Sequence, residues 1–224
     1  MHREVRLRFV LLVLPVAAAL LFAAHRAGAH GDEVVIRADG TEEIPPAARA
    51  AGLRFAPEVA PGDRRWILAA IAKARPEAQR LVAEVDGLVT VSTEHGDDVT
   101  VGWAQHAPAG RFRIGLNIAE LDGQRAIDRD VVVLHELGHV IDFALVPPDL
   151  DARLDAGIPS GGSCGDTGGP FGGCAPTAER FADTFAKWSL GGAVSAVGAG
   201  YEIATPPSLE DWGQPLGALA AALP

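Results

Sequence analysis

The sequence has few basic residues, few cysteines and no apolar segment as long as a typical membrane span. Its 19 lysine and arginine residues are outnumbered by 29 aspartate and glutamate residues, which gives a net charge of −10 at pH 7. Because an acidic protein repels phosphate backbones, we expect no nucleic-acid partner. The longest apolar segment, residues 9–24, is shorter than the roughly 20 residues that cross a bilayer.

The first 29 residues have the features of a secretory signal peptide. Three arginines precede the apolar segment, and Ala27, Gly28 and Ala29 form a small-residue cleavage site. An uncleaved N-terminal anchor is the alternative, and both interpretations place the rest of the chain outside the cytoplasm. We therefore expect a secreted protein with a lead-in segment over residues 30–62 and one domain over residues 63–224, monomeric rather than assembled.

The two cysteines, Cys164 and Cys174, lie in a glycine-rich segment over residues 159–176. In an exported chain, a lone pair at this spacing most simply forms one disulfide. That bond would close most of the segment into a ring and stabilise the fold by on the order of 2–3 kcal/mol. A zinc site that uses both thiolates is the alternative, although structural zinc sites usually have four ligands and closer cysteine pairs.

One segment contains the pattern His-Glu-x-x-His at His135, Glu136 and His139. Positions four apart lie on the same face of a helix, so the two imidazoles can bind one ion. Glu136 lies beside them and can act as a base on a water molecule, which is the arrangement of zinc hydrolases. The flanking residues are apolar or small and predict a buried helix that is capped by Asp128. The alternative is a buried helix whose histidines only find hydrogen-bond partners.

The remaining apolar periodicities predict an α+β chain in which helices precede a small sheet of three or four strands. Alternation along residues 111–117 indicates one buried and one exposed face, which favours an edge strand. Thr177 is the predicted cap of a later helix that carries a phenylalanine stripe. The predicted elements are helices over residues 64–74, 77–85, 129–144, 178–189 and 209–221 and strands over residues 34–37, 88–93, 99–104 and 111–117.

A catalytic zinc takes three protein ligands and leaves a fourth position for water, so a third ligand is expected downstream. Glu179 and Asp183 lie one turn apart on a helix face that otherwise carries phenylalanine and alanine. Buried carboxylates are costly unless they are paired or metal-bound. If this helix packs on the motif helix, Glu179 can complete the site and Asp183 can accept a hydrogen bond from a liganding imidazole. The alternatives are a solvated helix face and Asp142 as the third ligand.

The residues that follow the motif separate two classes of zinc peptidase. In metzincins a third histidine follows the second by six residues, above a methionine turn; here that position is Leu145, and the only methionine is Met1. The spacing from His139 to Glu179 and Asp183 instead resembles the gluzincin class of zincin metallopeptidases, which includes the thermolysin-like and anthrax lethal factor-like enzymes. The small size is closer to the lethal factor-like catalytic core.

The resemblance covers roughly residues 88–189 and implies a zincin-like fold, with N-terminal helices, a small mixed or antiparallel sheet, the motif helix and a glutamate-bearing helix. It implies one catalytic zinc held by His135, His139 and Glu179, with Asp183 orienting a liganding histidine. The implied activity is that of a secreted zinc endopeptidase that cleaves peptides or proteins, with Glu136 as general base.

Two further features of such an enzyme have candidates in the sequence. Zincins bind the substrate as an added strand at a sheet edge, for which residues 111–117 are the candidate. Tyr201, the only tyrosine, is the candidate oxyanion donor, with His95 and His106 as alternatives. A non-catalytic exported scaffold that retains a zinc site is the alternative function, and a zinc-sequestering protein is another. The presence of Glu136 argues against both, because a structural site needs no base.

Overall fold

The structure, a computed structural model, describes residues 34–36, 42–43, 52–95, 100–122, 128–160, 175–192 and 203–224. These residues all belong to one unit of the chain, Asp32–Pro224. Three sequence predictions lie outside the described residues: the signal peptide over residues 1–29, the disulfide between Cys164 and Cys174, and the oxyanion donor Tyr201. Among the described residues, no helix is both long and apolar enough to cross a membrane.

The described residues form seven α-helices and six strands, which confirms the α+β class. The strands are β1 (Val34–Ile36), β2 (Glu42–Glu43), β3 (Leu53–Phe55), β4 (Val89–Glu94), β5 (Gly102–Ala107) and β6 (Arg111–Asn117). The helices are α1 (Pro61–Lys73), α2 (Pro76–Val85), α3 (Ile118–Leu121), α4 (Arg129–Leu145), α5 (Pro148–Gly157), α6 (Thr177–Ser189) and α7 (Leu209–Ala222).

The sheet is mixed, with the strand order β2-β1-β3-β4-β6-β5. Its four main strands are β3, β4, β6 and β5, and the short strands β1 and β2 extend it beyond the three or four strands that the sequence predicts. β4 runs parallel to both β3 and β6, whereas β5 runs antiparallel to β6. The strand predicted over residues 99–104 begins three residues later, at Gly102.

The prediction that residues 111–117 form an edge strand is wrong, because β6 lies between β4 and β5. Arg111 and Arg113 are exposed as the alternation indicates, but every residue from Ile114 to the end of β6 is buried. The indole of Trp103 on β5 covers Gly115, where an added Cβ would lie 2.2 Å from the ring. A neighbouring strand therefore buries positions that look exposed in the sequence, and β5 is the edge.

Some helices start at the capping residue that the sequence predicts, and others do not. The side chain of Asp128 accepts hydrogen bonds from the amides of Asp130 and Val131, at 3.0 and 3.4 Å, which confirms the predicted cap of α4. The predicted cap Thr177 is instead the first residue of α6, and the cap position is Pro176. The motif helix ends at Leu145, and Pro148 starts α5, since proline suits the first turn of a helix.

α4 is the central helix of the fold, with the sheet on one side and α6 on the other. It packs against β5 and β6 and also contacts α1 and α2. Ten of its residues are buried, namely every residue from Val131 to Ile141 except His135. α6 is buried from Arg180 to its end at Ser189, including its polar side chains. The motif helix and the glutamate-bearing helix are therefore partners in one core.

Candidate metal centre

A glycine within the motif allows α4 and α6 to cross closely. A Cβ added at Gly138 would lie 3.0 Å from the Cα of Ala182, 3.3 Å from its carbonyl oxygen and 3.2 Å from the ring of Phe185. A larger residue would therefore force the two helix backbones apart. Glu179 lies about one turn before Ala182 on α6, so the crossing at Gly138 brings its side chain to the face of α4 that carries the histidines.

His135, His139 and Glu179 converge at this crossing. Oε2 of Glu179 lies 3.1 Å from Nε2 of His135 and 3.4 Å from Nε2 of His139. The three ligand atoms lie within 4.8 Å of one another, so the group can hold a metal ion. The two imidazole rings meet edge to face, with their centroids 4.8 Å apart. Asp142 does not belong to this cluster among the described residues, which disfavours it as the third ligand.

Glu179 is anionic at this site although it is partly buried. Burial raises the pKa of Glu179, but hydrogen bonds from His135 and His139, together with their charge, outweigh the burial and lower the pKa to about 2. A carboxylate that stays ionised at any physiological pH can serve as an anionic metal ligand without first losing a proton. The donor set of two nitrogens and one carboxylate oxygen is one that zinc hydrolases use.

Glu136 is a buried carboxyl group with an unsatisfied oxygen. Its side chain is only 5% exposed, and Oε2 has no hydrogen-bond partner in the part of the chain that the structure describes. The other oxygen lies against the backbone of the edge strand, since a Cβ added at Gly102 would be 2.6 Å from Oε1. Burial, reinforced by the negative charge of Glu179, raises the pKa of Glu136 to about 8. Such a group is costly in a purely structural role, and it fits a site that binds a ligand.

Asp183 pairs with a lysine and not with His139. Its carboxylate forms an ion pair with Lys187 at 2.6 Å, and both side chains are buried. Lys187 also donates a hydrogen bond to the carbonyl oxygen of Ile203. Nδ1 of His139 is buried and has no hydrogen-bond partner among the described residues, so Asp183 does not orient this imidazole. The carboxylate instead neutralises a buried ammonium group, a pairing that the i, i+4 spacing of Asp183 and Lys187 could have indicated.

The two histidine alternatives for the oxyanion donor lie in different surroundings. His106 is exposed on β5, and its ring lies 5.0 Å from the ring of Phe143, one turn beyond His139 on α4. His95 is exposed at the end of β4 and has no ring contact or ion pair within the described part of the chain. The structure thus places His106, but not His95, next to a neighbour of the metal ligands.

Sequence reasoning did not identify Gly102, whose only signal is a glycine within a strand pattern. Such a glycine often marks close approach of the backbone, here to Glu136.

Comparisons of the chain with protein-family models, with curated proteins and with solved structures find no match. The chemistry of the site therefore has to be argued from its own geometry.

Proposed function

We propose that this protein is a secreted zinc-dependent endopeptidase. His135, His139 and Glu179 are the proposed zinc ligands, and Glu136 is the proposed general base. One observation carries the proposal: two imidazole nitrogens and a carboxylate oxygen lie within 4.8 Å of one another beside a buried carboxyl group that has an unsatisfied oxygen. A site that only stored or sequestered a metal would have no use for that carboxyl group.

Zinc at these ligands would polarise the scissile carbonyl and lower the pKa of water. Glu136 takes one proton from the attacking water as the water oxygen forms a bond to the carbonyl carbon. When the C–N bond breaks, Glu136 returns that proton to the leaving nitrogen, and the products are a carboxylic acid and an amine. Without a metal ion, burial and the charge of Glu179 raise the pKa of Glu136 to about 8. A bound cation would favour the ionised form, in which Glu136 can accept a proton from water and later return it.

The edge strand β5 is the proposed binding surface for the substrate backbone. It lies at the end of the sheet, half-exposed, with β6 on its other side. An extended peptide can therefore add to β5 as a further strand. Because Gly102 of β5 contacts the carboxyl group of Glu136, a peptide on this edge would lie next to the proposed base. Tyr201, or otherwise His106, is the proposed oxyanion donor.

The proposal is tested by zinc content and peptide cleavage in the same sample. The purified exported protein is stripped with a chelator, reloaded with up to one equivalent of zinc and incubated with a proteome-derived peptide library. We expect cleavage, detected by mass spectrometry, to rise with zinc occupancy and to saturate at one equivalent. A protein that binds one zinc and cleaves nothing would contradict the peptidase proposal and favour the non-catalytic scaffold.

Gly102 should be essential for the placement of Glu136. An alanine at this position would put a Cβ 2.6 Å from Oε1, so the carboxyl group has to move. We expect Gly102→Ala to lower kcat by about a hundredfold, since small misplacements of a catalytic group have effects of this size, while zinc content stays at one equivalent. The matched control is Gly217→Ala on α7, where the closest atom to an added Cβ is 3.7 Å away. Equal activity of both variants would refute this role of Gly102.

A further inference from the structure

Phe143 is an exposed aromatic side chain at the rim of the candidate metal centre. It is 42% exposed, and Leu88 at 38% is the only other exposed large hydrophobic residue within the described part of the chain. A single exposed apolar residue is ordinary on a protein surface and needs no explanation by itself. The position of Phe143 is what distinguishes it, because it lies one helical turn after the proposed ligand His139 on α4.

The ring of Phe143 connects the metal centre with the edge strand. It stacks on the imidazole of His139, with centroids 6.0 Å apart and planes inclined by 18°. It also lies 5.0 Å from the ring of His106 on β5. The buried ring of Phe112 lies 5.0 Å from His106 and 6.5 Å from Phe143, so it supports both from beneath. We call the exposed pair of Phe143 and His106 the aromatic shelf.

The aromatic shelf lies where a substrate on β5 would pass. A peptide that adds to the edge strand near Gly102 and continues towards His106 would meet the exposed face of Phe143. The rise of an extended chain is about 3.4 Å per residue. The shelf, 6.0 Å from a ligand ring, is therefore within about three residues of a scissile bond at the metal. Phe143 is an apolar side chain, so the shelf favours apolar contact.

We infer that the aromatic shelf binds a large apolar side chain of the substrate, aromatic or aliphatic, within about three residues of the cleaved bond. This inference rests on the proposed peptidase function and assigns it a specificity. Contact of one apolar side chain with a hydrophobic surface changes kcat/KM by about tenfold or more. Phe143 is therefore a specificity-determining residue, separate from the ligands and from the general base.

The test measures cleavage preference in zinc-loaded wild-type protein, Phe143→Ala and the control Leu88→Ala. The substrates are decapeptide libraries in which one position at a time is fixed as Phe, Leu, Ala or Asp. Wild type and Leu88→Ala should prefer Phe or Leu about tenfold at one position near the cleaved bond. Phe143→Ala should lose this preference, so that the Phe- and Leu-fixed peptides are cleaved no faster than the Ala-fixed peptides. An unchanged preference in Phe143→Ala, or no apolar preference in wild type, would overturn the inference.

A second measurement separates the shelf from the catalytic proposal. Zinc-loaded Glu136→Gln, with and without Phe143→Ala, is applied to an array of the same fixed-residue peptides, and retention is compared. Stronger retention of Phe- and Leu-containing peptides only when Phe143 is present would support the shelf even if wild type cleaves nothing. Equal retention by both proteins would reject the shelf whether or not wild type is a peptidase. Zinc content and Tm of the variants confirm that the fold is intact.

Discussion

Replacing Glu136 with glutamine should reduce peptide hydrolysis about a thousandfold while the zinc content stays at one equivalent. Glutamine has nearly the same shape as glutamate but cannot take a proton from water, and general acid–base catalysis contributes about 10²–10⁴-fold. The metal ligands His135, His139 and Glu179 are unchanged, so binding of zinc is preserved. The measurement is kcat on a cleaved peptide together with metal analysis. Activity above a tenth of the wild-type value would contradict the role of Glu136 as general base.

In the metal-free protein, the same substitution should raise stability relative to wild type, and this difference should grow as the pH rises. Burial and the charge of Glu179 raise the pKa of Glu136 from 4.5 to about 8, so the folded state keeps a proton that the unfolded state releases between these values. The contribution of Glu136 to the free energy of unfolding is therefore largest below pH 4.5 and falls by up to about 1.4 kcal/mol per pH unit as the pH rises towards 8. Glu136→Gln removes this contribution.

Thermal unfolding between pH 5 and pH 8 measures the difference. We expect Glu136→Gln to exceed wild type in Tm by several degrees at pH 8, and the two curves to approach one another towards pH 5. A gain in stability when an ionisable group is made neutral is typical of functional sites, which keep such groups at a cost in stability. Parallel curves for the two proteins would show that the surroundings of Glu136 accommodate its charge, which would contradict the argument from burial.

Removal of the Glu179 carboxylate should abolish stoichiometric zinc binding. Within the described part of the chain, Glu179→Ala deletes the one carboxylate oxygen that clusters with both His135 and His139. Changes in groups that only orient a ligand lower metal affinity by about 10–100-fold, so the loss of a ligand should exceed a hundredfold. Titration with a competing chelator measures the affinity. Hydrolysis should fall in parallel, because the same ion supports both properties.

Asp142→Ala is the matched control for Glu179→Ala, since Asp142 was the alternative third ligand. Burial raises the pKa of Asp142 to about 6, and the charge of Asp151 adds to this effect while His139 opposes it. The carboxyl group is therefore not stabilised as an anion in the way that Glu179 is. We expect Asp142→Ala to retain one equivalent of zinc. Full zinc occupancy in Glu179→Ala combined with loss in Asp142→Ala would reverse the assignment of the third ligand.

Interactions within one helix were accessible to sequence reasoning. The four-residue spacing of His135 and His139, and the cap at Asp128, depend only on helix geometry, which repeats every 3.6 residues. Glu179 could also be identified from the sequence, because a carboxylate on an apolar helix face is costly to bury unless it is paired or binds a metal ion. Asp183 lies on the same helix face as Glu179, but it pairs with Lys187, one turn further along that helix.

Contacts between elements required the three-dimensional packing. The alternation in β6 indicates a strand with one exposed face, yet its place between β4 and β5 and the covering of Gly115 by Trp103 depend on how the strands are ordered. The approach of Gly102 to Glu136 and of Gly138 to Ala182 joins residues that are far apart in the chain. A residue's own sequence neighbourhood specifies its secondary structure and its face. Which residue of another element it contacts depends on the packing of the whole domain, and here that packing brings Glu136, Glu179 and the edge strand together.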